Sequence, residues 1–408
     1  MTSTEESCST AALERHGAGD LDRAGAMYRQ IPAGDPVHYS NLGLALIRKG
    51  RLDEAILTLR QALGFAPGDA LVYAMLGRAL HARGRGEDAA AAFRQAVASK
   101  PEYTEAHNEL GNVLMEMGRP EEAISAYVAA IGLDRDFAEA HHNLANALFS
   151  SGETERAIAG YRQAVSLEAH SPTVCFVDAW LNLGNALQGT DRFPEATEAY
   201  RQTLVRDPQS VAAMFELGNT LHRMGRWDEA AGFYRKALDL QPREARTWYN
   251  LGVTRTMQKR PEAAIDAYRE ALRIQPCYVE ALNNLGNVYL ALGRVAEADA
   301  HYRGALAADP DYIEARYNIG IVLEKQGRLE EALDCYREVL RRKPDYPEAH
   351  NNCGNAALAL GRPLEALASY REALRWRPQH AEARHNTGVV FENQRRMGEA
   401  LKSYREAL

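Results

Sequence analysis

The chain has 408 residues, enough for two or three ordinary domains or for one elongated repeat array. Its 55 acidic residues outweigh 48 basic ones to leave a net charge of −7, so the totals carry no electrostatic footprint for nucleic acid or anionic lipid. The five cysteines, Cys8, Cys175, Cys277, Cys335 and Cys353, are scattered without a CxxC pair and offer neither a zinc site nor a disulfide framework.

The N-terminus, MTSTEESCSTAAL, lacks a basic stretch followed by an apolar core. No uncharged apolar run reaches the roughly eighteen residues of a membrane span, so a soluble, cytoplasmic protein is expected. Within residues 1–35 the stretch GDLDRAGAMYRQI sits 31 residues before a similar one, RLDEAILTLRQAL. Residues 1–35 therefore read as a shortened, divergent opening repeat that acts as a cap.

From residue 36 onward the chain is periodic. A glycine marker recurs at Gly43, Gly77, Gly111, Gly184, Gly218, Gly252, Gly286, Gly320, Gly354 and Gly388, with Ala145 in the fourth slot. Every step is 34 residues except Ala145 to Gly184, which is 39. With that glycine as position 8, eleven units begin at Pro36, Ala70, Thr104, Ala138, Val177, Val211, Ala245, Val279, Ile313, Pro347 and Ala381. Position 20 is alanine in all eleven, position 27 in nine, and position 24 is aromatic in ten, from Phe93 and Tyr127 to Tyr404.

These columns have physical readings. Positions 1–14 and about 17–28 each show apolar residues at helical spacing, with a turn between them usually carrying glycine at position 15. Each unit is thus a pair of antiparallel helices. A glycine inside a helix costs about 1 kcal/mol relative to alanine, so a whole column of them requires a gain elsewhere. Small residues at positions 8, 20 and 27 let helix axes approach, and the ring at position 24 is expected to fill the space between successive pairs. Proline at position 32 stops the second helix, and acids at positions 2 and 18–19 face helix N-termini. One unit cannot bury its own apolar face, so stacking is obligatory.

Units such as AEAHHNLANALFSSGETERAIAGYRQAVSLEAHS resemble tetratricopeptide repeats (TPRs), and the resemblance covers residues 36–408. It implies an all-α fold: a right-handed superhelical solenoid of antiparallel helix pairs, about eleven repeats plus the divergent N-terminal one, whose first helices line a concave groove. Residues 36–171 are units 1–4, and residues 177–408 are units 5–11, the last incomplete. Between them 172–176 is an inter-repeat insertion, expected to bend the solenoid. The final unit stops at Leu408 without a polar closing helix, so an uncapped edge suited to self-association is expected there.

No catalytic, metal or cofactor constellation emerges, and the chain is read as a non-enzyme that needs no cofactor. Gly286 and Gly293 in NNLGNVYLALGR have no preceding strand and no following Lys-Ser/Thr, which excludes a phosphate cradle. His107, His141 and His350 stand at position 4, where Trp180 and Trp248 stand elsewhere, and read as partly buried ring substitutes. Paired carboxylates recur at helix starts in every unit and read as capping. An arginine at position 25 recurs with Glu or Gln beside it, a solvated mixed face rather than a polyanion stripe.

Function must then come from groove positions left over by packing. The resemblance implies that these are positions 2, 5, 6, 9, 12 and 13. Position 6 supplies Asn41, Asn143, Asn182, Asn250, Asn284, Asn318, Asn352 and Asn386, and position 9 supplies Asn112, Asn146, Asn185, Asn219, Asn287 and Asn355. Each carboxamide carries a donor and an acceptor and can bond the backbone of an extended peptide without reading its side chains. This resembles the asparagine ladder in the repeats of O-linked N-acetylglucosamine transferases, although asparagine is also common at these columns of the repeat in general. Position 5 adds Phe215, Tyr249 and Tyr317, flanked by Asn283, as expected exposed anchors. Position 2 is mostly acidic, which disfavours acidic C-terminal tails. A protein-interaction scaffold binding an extended peptide or partner helix, with no nucleic-acid or membrane partner, is the expected function. The alternative is the substrate-recruiting repeat region of a glycosyltransferase whose catalytic domain is absent from this chain.

Overall fold

A computed structural model describes residues 15, 26, 27, 36–167 and 175–408. Among the described residues there are 22 helices and no strand, alternating as first and second members of antiparallel pairs. First helices are typified by Ala245–Met257 and Val279–Ala291, each of 13 residues, and second helices by Pro261–Ile274 and Val295–Ala308, each of 14. Every first helix packs on its own second helix, and within a unit of the fold each second helix packs on the next first helix. The chain divides into two compact units, residues 1–208 and 209–408.

Most of the expected cap at 1–35 lies outside the described residues, as do residues 172–174 of the expected insertion. Cys175 and Phe176, assigned to that insertion, already belong to the helix Cys175–Gly189. The physical reason is apolar: Phe176 is buried with Ala138 and Leu167, and its burial continues the helix two residues N-terminal to the periodic start.

Local chemistry sets where helices stop and start. The turn inside each pair needs a left-handed residue, and glycine supplies it at Gly225, Gly293 and their counterparts with φ between 71° and 82°. Asp191, Lys259 and Arg395 hold the same conformation at φ 60°, 56° and 60° without that freedom. The amide of the next residue then closes the turn, as Arg294 N–H does on the Tyr289 carbonyl at 2.9 Å. Most second helices open with an arginine that folds onto the acid three residues on, as in Arg226–Glu229 at 2.7 Å and Arg294–Glu297 at 2.8 Å. These exposed pairs fix local geometry more than they add stability.

The core repeats with the same period. The position-20 alanines, Ala55 to Ala400, are all buried, as are the position-24 rings from Phe93 to Tyr370. A Cβ added to Gly286 would lie 2.6 Å from the Tyr302 ring, and the other marker glycines meet their own position-24 side chain just as closely. The ring therefore lies inside its own helix pair rather than between successive pairs, because the missing Cβ opens a slot that a flat side chain fills. The fourth pair keeps this arrangement by exchange: Ala145 replaces the glycine, and Gly160 on the facing helix leaves room for it.

Polar side chains at position 4 staple several pairs to the preceding turn. Trp248 Nε1–H donates to the Pro242 carbonyl at 3.0 Å, and His107, His141 and His350 pair through Nε2 with the carbonyls of Pro101, Arg135 and Pro344. The ring-substitute reading of those histidines gains a polar reason: each provides one donor six residues downstream of an otherwise open carbonyl.

Candidate peptide groove

Position 9 lies one helical turn below position 5 and faces the second helix of its own pair. There the phenol of position 24 reaches it. Tyr161 O–H donates to Asn146 Oδ1 at 2.7 Å, Tyr234 to Asn219 at 2.7 Å, Tyr302 to Asn287 at 2.8 Å, and Tyr200 to Asn185 at 2.9 Å. Except at Asn185, the same oxygens receive a second bond from the next repeat. Asn182 Nδ2 donates to Asn146 at 3.0 Å, Asn250 to Asn219 at 2.9 Å, Asn318 to Asn287 at 3.1 Å, and Asn386 to Asn355 at 2.9 Å. Asn143 does likewise onto Asn112, at 3.0 Å. The asparagine columns thus form a ladder, with rungs that run from repeat to repeat inside the protein.

Two junctions use another acceptor. Where position 9 is Val253 or Ile321, position 5 is a tyrosine, and its oxygen takes the bond: Asn284 Nδ2 donates to Tyr249 Oη at 3.1 Å and Asn352 to Tyr317 Oη at 2.9 Å. Tyr249 and Tyr317 are half-buried, packed at 5.0 and 5.1 Å between centroids on Tyr278 and Tyr346. Burial pushes both phenols above the ordinary tyrosine range. Phe215 is half-buried against Tyr234. The three rings expected as exposed anchors are therefore mostly engaged in packing between repeats. Asn283 is likewise buried, and its Oδ1 accepts from Asn318 at 2.9 Å. These corrections share one cause: position 5 points into the junction that the next first helix closes.

Half of most of these carboxamides remains unbonded, whereas Asn146 Nδ2 meets His142 Nε2 at 2.9 Å and Asn219 Nδ2 donates to Glu216 at 3.1 Å. The Oδ1 atoms of Asn143, Asn182, Asn250, Asn284, Asn318 and Asn386 and the Nδ2 atoms of Asn185, Asn287 and Asn355 have no partner among the described residues, and none of these atoms is enclosed. Each inner bond fixes the orientation of the outer half, so the row presents acceptors and donors in set directions.

In the second unit this row opens into two cavities that the sequence did not single out. One, of about 390 Å³, is lined by Asn219, His222, Arg223, Arg246, Tyr249 and Asn250. His222 Nδ1 meets Thr254 Oγ1 at 2.9 Å, and burial lowers the imidazole's pKa, which favours the neutral ring. The other, of about 760 Å³, is lined by Glu382, His385, Asn352, Asn355, Asn386 and Tyr404. Among the described residues no His, Cys, Asp and Glu cluster could hold a metal, and no helix is long and apolar enough to cross a membrane.

Stacked helix pairs with a polar first-helix face define a helical-repeat protein. The profile described as "Cilia and flagella-associated protein 70 C-terminal domain", a TPR profile, matches residues 137–360, and the chain belongs to that repeat family. Profiles described as TPR repeat match 77–118 and 111–152, and tetratricopeptide repeat profiles match 10–70 and 353–408. A search of curated protein sequences gave no match. Among solved structures the chain is similar to YrrB, titled a TPR protein with an unusual peptide-binding site, at 24% identity over 47% of this chain and 97% of that one, with a TM-score of 0.44. It is also similar to MamA, at 27% identity over 42% and 94% with a TM-score of 0.40. A tetratricopeptide repeat protein from Parabacteroides merdae matches at 18% identity over 57% and 91%, with a TM-score of 0.49.

Proposed function

We propose that this chain is a non-catalytic scaffold whose first-helix face holds an extended peptide of a partner protein. The observation that carries this reading is the half-used carboxamide row. Inner bonds to the neighbouring repeat take the Nδ2 of position 6 and the Oδ1 of position 9, which leaves the complementary acceptor and donor facing outward. Neighbouring helices pack about 8–10 Å apart, close to the rise of three residues of extended chain at roughly 3.3 Å each. A peptide backbone laid along the row can therefore meet one carboxamide site per repeat. The side chains are already held by their inner bonds, so less rotamer entropy is lost on binding.

The test must spare the inner bonds. In Asn287→Asp with Asn355→Asp the oxygens that accept from Tyr302, Asn318, Tyr370 and Asn386 remain, and each outward donor is replaced by a charged acceptor. Random peptides displayed on phage are selected on the intact chain, and their affinities are measured by fluorescence anisotropy. A loss of about tenfold at unchanged melting temperature is expected for two lost hydrogen bonds. Unchanged affinity for every recovered peptide removes the amide row from the mechanism.

A further inference from the structure

Along the second unit's first helices, position 2 reads Ala212, Arg246, Glu280, Glu314, Glu348 and Glu382. Arg246 is the cation in a column otherwise neutral or acidic. Its guanidinium lies over the Phe215 ring, 4.9 Å from the centroid, and no carboxylate stands within ion-pair distance of it among the described residues. With Arg223 it lines the cavity of about 390 Å³ beside Asn219 and Asn250, and no Asp or Glu lines that cavity. On its other side Arg246 shares an opening of about 480 Å³ with Glu244 and Glu280. Glu216 Oε2 accepts a hydrogen bond from Asn219 Nδ2 at 3.1 Å.

The rest of the column carries the opposite sign. Glu280, Glu314 and Glu382 are exposed and have no ion-pair partner among the described residues, whereas Glu348 is taken by Arg377 at 2.6 Å. Glu382 lies in the larger cavity with Asn352, Asn355 and Asn386. The first-helix face thus offers a cationic seat followed, one, two and four repeats further along, by three exposed first-turn carboxylates without an ion-pair partner among the described residues.

We propose that the second unit reads a charge-ordered extended segment, in which an anionic side chain seats at Arg246 and Lys or Arg side chains follow to meet Glu280, Glu314 and Glu382. This rests on the groove reading above and adds the class of partner and the direction in which it lies. Stacking on Phe215 keeps the Arg246 fork in place for a carboxylate or phosphate. Rim charges of this kind set orientation and partner choice more than raw affinity, and the reversed segment would bring like charges together.

The probe is a fluorescein-labelled peptide of alanine and glutamine bearing one glutamate and then lysines about three, six and twelve residues later, following the repeat spacing. Binding to the intact chain is compared with that of an uncharged version and of one with the signs exchanged. The ordered peptide is expected to bind about tenfold more tightly than the exchanged one, with the preference fading as salt rises. Arg246→Glu, at an exposed position, is expected to favour lysine in place of the glutamate while the melting temperature stays put. Phosphoserine in place of the glutamate distinguishes the anions: tighter binding assigns the seat to phosphate, equal binding shows that a carboxylate suffices, and binding no better than glutamine overturns the seat. Equal affinities for ordered and exchanged peptides overturn the proposal. The groove reading survives that result if the uncharged peptide binds and weakens in Asn287→Asp with Asn355→Asp, and both fall if no peptide binds.

Discussion

At Gly286 the helix gives up about 1 kcal/mol of propensity so that Tyr302 can lie against its backbone. Adding a Cβ there removes the propensity penalty but places a carbon 2.6 Å from a ring held on its far side by Asn287. Overpacking outweighs propensity, so Gly286→Ala is expected to destabilise by about 1–3 kcal/mol, read as a lower midpoint in urea. Lys259 presents the reverse case. It holds φ 56° where most pairs use glycine. Lys259→Gly is expected to stabilise by roughly 0.5–1 kcal/mol by relieving left-handed strain. A lower melting temperature in that variant would show that Lys259 contributes through contacts instead.

Between helix pairs, the unit of cohesion is the carboxamide bond and whichever acceptor the previous repeat supplies. Tyr249 and Val253 stand in the seventh pair where Asn283 and Asn287 stand in the eighth, and Asn284 bonds the tyrosine oxygen for want of an amide. Tyr249→Phe leaves Asn284 without that acceptor and is expected to cost about 1 kcal/mol. Adding Val253→Asn supplies an acceptor at the place Asn287 uses and is expected to recover most of the loss. A double-mutant cycle measures this, and additive costs would mean the two junction types are not interchangeable.

Across the whole molecule the buried phenols make folding sensitive to alkali. Burial raises the pKa of Tyr127, Tyr161, Tyr234, Tyr302 and Tyr370, and that of Tyr268 to about 12. An unfolded tyrosine ionises near pH 10, so the folded state holds these protons more tightly. Their contribution is fully present below about pH 10 and is lost as pH climbs towards the folded values. Helical circular dichroism is expected to collapse cooperatively between about pH 10 and 12, in step with the buried tyrosines' phenolate absorbance. Complete ionisation with helicity intact would contradict the burial of these rings.

The sequence by itself determined the helix pairs, their boundaries and the packing columns, because these follow from spacing and steric size within one 34-residue unit. Glycine at position 15 announces its turn, and alanine at position 20 its close contact. A part of the ladder was also readable: nearly every asparagine at position 9 has a tyrosine 15 residues later, which its oxygen meets. What the tertiary structure decided was direction. Whether an amide faces a ligand or its own neighbour depends on residues 31 or 35 positions away, whose register is set only when repeats stack. That packing buried Asn283, half-buried Phe215, Tyr249 and Tyr317, and left half of most of the carboxamides unbonded. It also set Arg246 on Phe215 beside Arg223, a juxtaposition invisible along the chain because proximity across a junction arises from packing rather than from local spacing.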